Sequence, residues 1–127
     1  MKVLLIEDNP ENADTFTRIL NLLEDAEITH MLNGIDGLRA ARTGSFDVIL
    51  IDFDLPDLHG TQIALTLATL MRRGRLPLTP LIALTAHADE PGQRRAARVG
   101  FDAFVGKPCE EQDLLRLIRQ LTFAPEV

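Results

Sequence analysis

Four apolar runs constrain this chain most, because each stops at a residue able to do chemistry. Val3-Leu4-Leu5-Ile6 closes on Glu7 and Asp8, and Val48-Ile49-Leu50-Ile51 closes on Asp52. Leu81-Ile82-Ala83-Leu84 closes on Thr85, and Phe104-Val105-Gly106 on Lys107. The second and third runs are almost wholly apolar, as strands are when helices cover both faces of a parallel sheet. In such a sheet the C-terminal strand ends share one edge, and ligands bind in the crevice there. Three carboxylates, a hydroxyl and an ammonium on one edge suggest a divalent cation and an oxyanion such as phosphate.

The remaining pattern fits that architecture. Strands are expected over about 2–6, 27–31, 47–51, 81–84 and 102–105. Between them lie helical patterns. Asn9 is an N-cap with Pro10 at the first helical position, and Ala13, Phe16, Ile19, Leu20 and Leu23 follow at helical spacing. Further helices are expected over about 35–42 and 61–72, from Pro91 to before Gly100, and over about 110–121. A strand–helix unit repeated five times implies an α/β fold with a parallel sheet and right-handed crossovers.

Composition narrows the function. The length of 127 residues suits one domain. A net charge of −6 argues against a general nucleic-acid surface. No apolar run approaches the ~18–20 residues that span a bilayer. The opening run is cut short by Glu7-Asp8, so it is not expected to be a signal peptide. Cys109 is the lone cysteine, which excludes an internal disulfide and a cysteine-based zinc site. Nothing in the spacing of His30, His59 and His87 suggests metal binding. These features fit a cytoplasmic protein with no membrane and no direct nucleic-acid partner.

Four blocks in order carry a family resemblance: Leu5-Ile6-Glu7-Asp8-Asn9, Ile51-Asp52-Phe53-Asp54-Leu55-Pro56 with Gly60, Ala83-Leu84-Thr85-Ala86, and Gly106-Lys107-Pro108. Over roughly residues 2–121 the chain resembles the receiver domain of two-component response regulators, chiefly a bacterial signalling family. The resemblance implies a flavodoxin-like (βα)5 three-layer sandwich with strand order 2-1-3-4-5. It places one receiver over residues 1–122 and a short tail over 123–127, with no output domain expected.

The same resemblance assigns roles. Asp52, four residues before Pro56, is the expected phosphoacceptor. Asp8 and Asp52, with the backbone carbonyl of Asp54, would bind Mg²⁺ or Mn²⁺, and Glu7 would act through a water. The plain alternative for Glu7 and Asp8 is charge at a helix N-terminus. Lys107 would hold a phosphoryl oxygen as a point charge, and the bond to Pro108 would be cis. Thr85 would hydrogen-bond the phosphoryl group and move inward, with Phe104 following into the vacated space. Phe104 departs from the commoner Tyr, and the plain alternative is a core aromatic. Asp54 and His87, two residues after Asp52 and Thr85, flank the path of an attacking water and are expected to set the phosphoryl lifetime.

The implied function is a phosphorylation-dependent switch. A phosphohistidine on a histidine kinase or histidine phosphotransfer protein would donate to Asp52. The chain would catalyse only its own phosphorylation and dephosphorylation. The fourth helix, fifth strand and fifth helix would present the altered surface to a downstream protein. Arg94, Arg95 and Arg98 beside Glu110 and Glu111 give that face mixed charge. A monomer or weak dimer through the same elements is expected. The phosphodonor would dock near Asn12, Thr15 and Phe16. Two rivals stand beside this reading. One is a phosphorylation-independent interaction module of the same fold. The other is a haloacid dehalogenase-like Mg²⁺-dependent phosphatase, suggested by Asp52-Phe53-Asp54, although Pro56 and the 51 preceding residues do not suit it.

Overall fold

Each apolar run becomes a strand and each helical pattern a helix in the computed structural model, which describes residues 1–86 and 89–123. In chain order these are β1 (Lys2–Ile6), α1 (Pro10–Leu20), β2 (Glu27–Met31), α2 (Gly34–Thr43) and β3 (Val48–Asp52). Then come α3 (Gly60–Arg72), β4 (Leu81–Thr85), α4 (Glu90–Val99), β5 (Ala103–Gly106) and α5 (Glu111–Thr122). The strands form one parallel sheet in the order β2-β1-β3-β4-β5.

Successive strand residues face opposite sides of a sheet, and the core divides accordingly. Leu4, Ile6, Ile49, Ile51, Leu81 and Ala83 face α2, α3 and α4, where Ala41, Ile63, Leu67 and Ala96 meet them. Val3, Leu5, Val48, Leu50, Ile82 and Leu84 face α1 and α5, where Phe16, Leu20, Leu114 and Ile118 meet them. Two helices on one face and three on the other make the expected three-layer sandwich.

Capping chemistry fixes where the helices start. Asn9 accepts from the Asn12 N–H, Asn33 from Asp36 and Asp89 from Gly92. The Asp89 cap starts α4 at Glu90, one residue before the Pro91 expected to open it. α1 ends at Leu20, so Leu23 reaches the core from the following turn rather than from the helix. β5 begins one residue later than its apolar pattern suggests. Asp102 meets β4 partly through its side chain, whose carboxylate takes the Leu81 N–H at 2.8 Å.

Register delivers the site. Ile6 pairs with Ile51, which sets Glu7 beside Asp52. Asp52 pairs with Leu84, and Thr85 pairs with Gly106, so Thr85 and Lys107 each lie one step further along the same edge.

At the opposite end, Gly100 terminates α4 with φ +110°, in the left-handed region. A Cβ there would lie 2.6 Å from the Cβ of Ala68 on α3. Gly100→Ala is therefore expected to lower stability by about 1–2 kcal/mol from backbone strain alone, and further through the clash. A lower urea midpoint at unchanged slope is the expected result.

Candidate functional site

Among the described residues, the buried polar and charged ones are Glu7, Asp52 and Thr85, at 0%, 4% and 2% exposure. All three sit on the C-terminal edge of the sheet. Burying a carboxylate is costly unless it is paired, and here Lys107 does the pairing. Its Nζ donates to Glu7 Oε1 at 3.0 Å and lies 3.3 Å from Asp52 Oδ1. Asp52 Oδ1 also accepts the Asp54 backbone N–H at 3.1 Å. The Lys107 backbone N–H donates to the Thr85 carbonyl at 2.6 Å, fixing the chain from which the ammonium extends. The next peptide bond, Lys107–Pro108, is cis.

Asp8 completes the cluster. Glu7, Asp8 and Asp52 each offer a carboxylate oxygen, and these oxygens lie within 4.8 Å of one another. One ammonium against three carboxylates leaves the cluster net negative. The donors are hard oxygens, few in number and open on the Asp8 side, which suits a divalent cation that keeps part of its water. The residues present therefore fit Mg²⁺ or Mn²⁺.

Charge is unevenly shared within the cluster. Burial pushes the Glu7 carboxyl up to about 7, and the hydrogen bond with Asp52 adds to the rise against the opposing pull of Lys107. Burial acts on Asp52 in the same direction. There the hydrogen bond from Glu7, the Asp54 N–H and Lys107 outweigh it and hold the carboxyl below its ordinary range. Lys107 would be lowered by burial, but its hydrogen bond to Glu7 and the Asp52 charge raise it. Without a metal, the arrangement keeps Asp52 ionised and makes Glu7 the acid that gives way.

The other expected site residues are placed as follows. Phe104 is half-buried and packs edge-on against Phe53, with centroids 5.7 Å apart. The Asp54 side chain is exposed. His87 lies outside the described residues. Asn12, Thr15 and Phe16 line one cleft of about 340 Å³ with Ala86, Lys107, Pro108 and Cys109. Phe16 is mostly core, at 3% exposure, and so forms the floor of that cleft rather than a protruding contact.

Three residues around the site had no signal in the sequence pattern. The His30 Nε2–H donates to the Glu7 carbonyl at 2.7 Å and steadies the strand end. Asp57, which reads as an ordinary turn acid, accepts the Gly34 and Ile35 N–H groups at 2.8 Å each, tying the loop after β3 to the start of α2. His59 caps α3, accepting the Thr61 N–H, while Gln62 reciprocates onto the His59 N–H. Gly60, quoted in the family pattern, has a structural reason. A Cβ there would sit 2.8 Å from the Asp52 carbonyl.

The Glu7 shift gives a testable pH dependence for the metal-free protein. Between pH 4.5 and about 7 the folded state holds a proton on Glu7 that the unfolded state has released. Stability therefore falls as pH rises through that window. Urea midpoints measured in a chelator should drop across it in the wild type. In Glu7→Gln the drop should be absent.

Comparison with known proteins agrees with this geometry. Residues 3–119 match the family model for the response regulator receiver domain. The sensor histidine kinase GacS of Pseudomonas protegens is 33% identical over 95% of this chain, which covers 13% of that protein. Hybrid signal transduction histidine kinase G of Dictyostelium discoideum is 32% identical over 94% of this chain, covering 4% of that protein. The chain thus spans only a small part of the length of the curated relatives it matches. Among solved structures, the receiver domain of the sensor histidine kinase PA1611 from Pseudomonas aeruginosa, with a magnesium ion coordinated in its active-site cleft, superposes with a TM-score of 0.82. It is 28% identical, and the match covers 95% of this chain and 96% of that one. A CheY-like receiver from Methanospirillum hungatei gives a TM-score of 0.81 at 27% identity, covering 94% of this chain and 90% of that one. With relatives in bacteria and in Dictyostelium, the resemblance is not confined to a bacterial setting. The family is one of signalling switches rather than metabolic enzymes, and no helix among the described residues is long and apolar enough to cross a membrane. From the parallel sheet, the acid cluster on its edge and the family match together, the chain belongs to the response regulator receiver domain family.

Proposed function

We propose that the chain is a phosphorylation-dependent switch whose phosphoacceptor is Asp52, carried by a receiver unit over residues 1–122. The observation that carries this reading is the pairing of a buried, ionised Asp52 with Lys107 at 3.3 Å, beside Glu7 and Asp8, on the edge where the strands end.

A carboxylate attacking a phosphoryl group meets like charge. At ~4 Å that repulsion is about 1 kcal/mol in water and about 4 near a protein surface. Lys107 offsets part of it. Asp8, Asp52 and the Asp54 backbone carbonyl would hold Mg²⁺ or Mn²⁺, with Glu7 acting through a water. When bound, the ion supplies the further positive charge that two anions need in order to meet. An Asp52 oxygen then forms its bond to phosphorus as the P–N bond of a phosphohistidine breaks, the electron pair leaving on the imidazole. Thr85 and Lys107 hold the equatorial oxygens. Attack by water later reverses the modification, and Asp54 and His87 set its rate.

The donor would be a histidine kinase or a histidine phosphotransfer protein, docked over the cleft formed by Asn12, Thr15, Phe16 and Pro108. Phosphorylation adds about −1.5 to −2 charges to an already negative cluster. Thr85 and Phe104 would carry that change to α4, β5 and α5, where Arg94, Arg95 and Arg98 are exposed, for reading by a partner protein or a second copy.

Incubation with acetyl phosphate and Mg²⁺, followed by intact-mass spectrometry, tests the reading. One added phosphoryl group is expected in the wild type. None is expected in Asp52→Asn or after chelation of the metal. Mg²⁺ alone should raise the melting temperature of the wild type, and Asp8→Asn should abolish that rise. Failure of the wild type to form the adduct or to bind beryllofluoride would turn the account toward a phosphorylation-independent module.

A further inference from the structure

The loop after β3 is closed by a residue that is not part of the phosphoryl site. Asp54 and His59 form an isolated antiparallel bridge, and the Gly60 N–H donates to the Phe53 carbonyl at 2.9 Å. The loop therefore folds back beside the strand end that carries Asp52. His59 sits where this closure meets the start of α3.

The His59 ring is held from several sides. It packs against Phe53 with centroids 5.0 Å apart. Its Nδ1 lies 2.7 Å from Thr61 Oγ1 and accepts the Thr61 backbone N–H at 3.2 Å. A backbone N–H can only donate, so Nδ1 is the acceptor, and the neutral ring carries its proton on Nε2. That Nε2 lies 4.0 Å from Asp54 Oδ1. Among the described residues no lysine or arginine pairs with this carboxylate. At that distance the contact is an electrostatic bias rather than a hydrogen bond. A bias is enough to choose among the orientations of an exposed side chain.

We propose that His59 is a positioning residue for Asp54: by capping α3 it aims its Nε2–H at the Asp54 carboxylate and holds that carboxylate toward α3, back from the water that attacks phosphorylated Asp52. The inference rests on the phosphoacceptor reading above. It ties the lifetime of the modified state to a helix cap seven residues along the chain from Asp52. Released from His59, the carboxylate can reach the approaching water as a hydrogen-bond acceptor and orient it for attack, which speeds hydrolysis.

Four proteins test this: the wild type, His59→Ser, Asp54→Ala and the double variant. Serine keeps an oxygen that caps α3 but is too short to reach Asp54. Each is phosphorylated with acetyl phosphate and Mg²⁺ and freed of donor, and loss of the adduct is followed by intact mass. His59→Ser is expected to shorten the lifetime by about two- to five-fold when Asp54 is present, and to change nothing in the Asp54→Ala background. A merely structural role for His59 would change both backgrounds alike. An equal change in both, a longer lifetime, or no change would overturn the role of His59 while leaving Asp52 as the phosphoacceptor. Absence of the adduct from all four proteins would instead overturn the reading on which the inference rests.

Discussion

Lys107 holds together an edge that would otherwise repel itself. Glu7 and Asp52 are both buried, and each lies within ion-pair distance of the same ammonium. Removing the cation would leave two neighbouring buried carboxylates without a counter-charge, the situation in which breaking an ion pair costs most. The three groups come from the residue after β1, the end of β3 and the segment after β5. Only a parallel sheet with this register brings them to one place, so the β1–β3 and β4–β5 pairings are as much part of the site as its side chains. Even with Lys107 in place the cluster remains net negative, and the protonation of Glu7 up to about pH 7 is the metal-free chain's way of lowering that charge.

Much of this was legible in the sequence because it is written in short contiguous blocks. The strand runs are nearly all apolar, since both faces of the sheet are covered. The reactive residues follow them directly, since the strand ends form the crevice. The parallel sheet, the cap at Asn9 and the edge position of Glu7, Asp8, Asp52, Thr85 and Lys107 came from that local pattern, whereas the strand order came from the family resemblance. What escaped were contacts between a loop and a distant element. Asp57 has the composition of a turn acid, and nothing local says that its carboxylate takes the N–H groups opening α2, 22 and 23 residues earlier in the chain. His59 is an uncommon N-cap, so its place before Gly60 gave no helix-start signal, and its link to Asp54 depends on how the loop closes. Phe16 matched both a docking face and a core position, and it is buried in the cluster that holds Leu20 and Leu50 while lining the cleft beside Lys107 and Pro108.

The aromatic packing shows how a change at the edge would have to travel. Phe53 directly follows Asp52 and is buried. Its ring touches three others: Phe104 at 5.7 Å on β5, Phe101 at 5.8 Å just before β5, and His59 at 5.0 Å at the start of α3. Tightly packed interiors do not deform continuously, so a displaced ring obliges its neighbours to move in discrete steps. Movement of the β3 end therefore has two exits through one side chain, toward β5 through Phe104 and toward α3 through His59. Phe104 lacks a hydroxyl, so its position is governed by this packing rather than by a competing hydrogen bond at the surface. The Phe53–Phe104 contact is thus a direct packing link between the residue that follows Asp52 and β5.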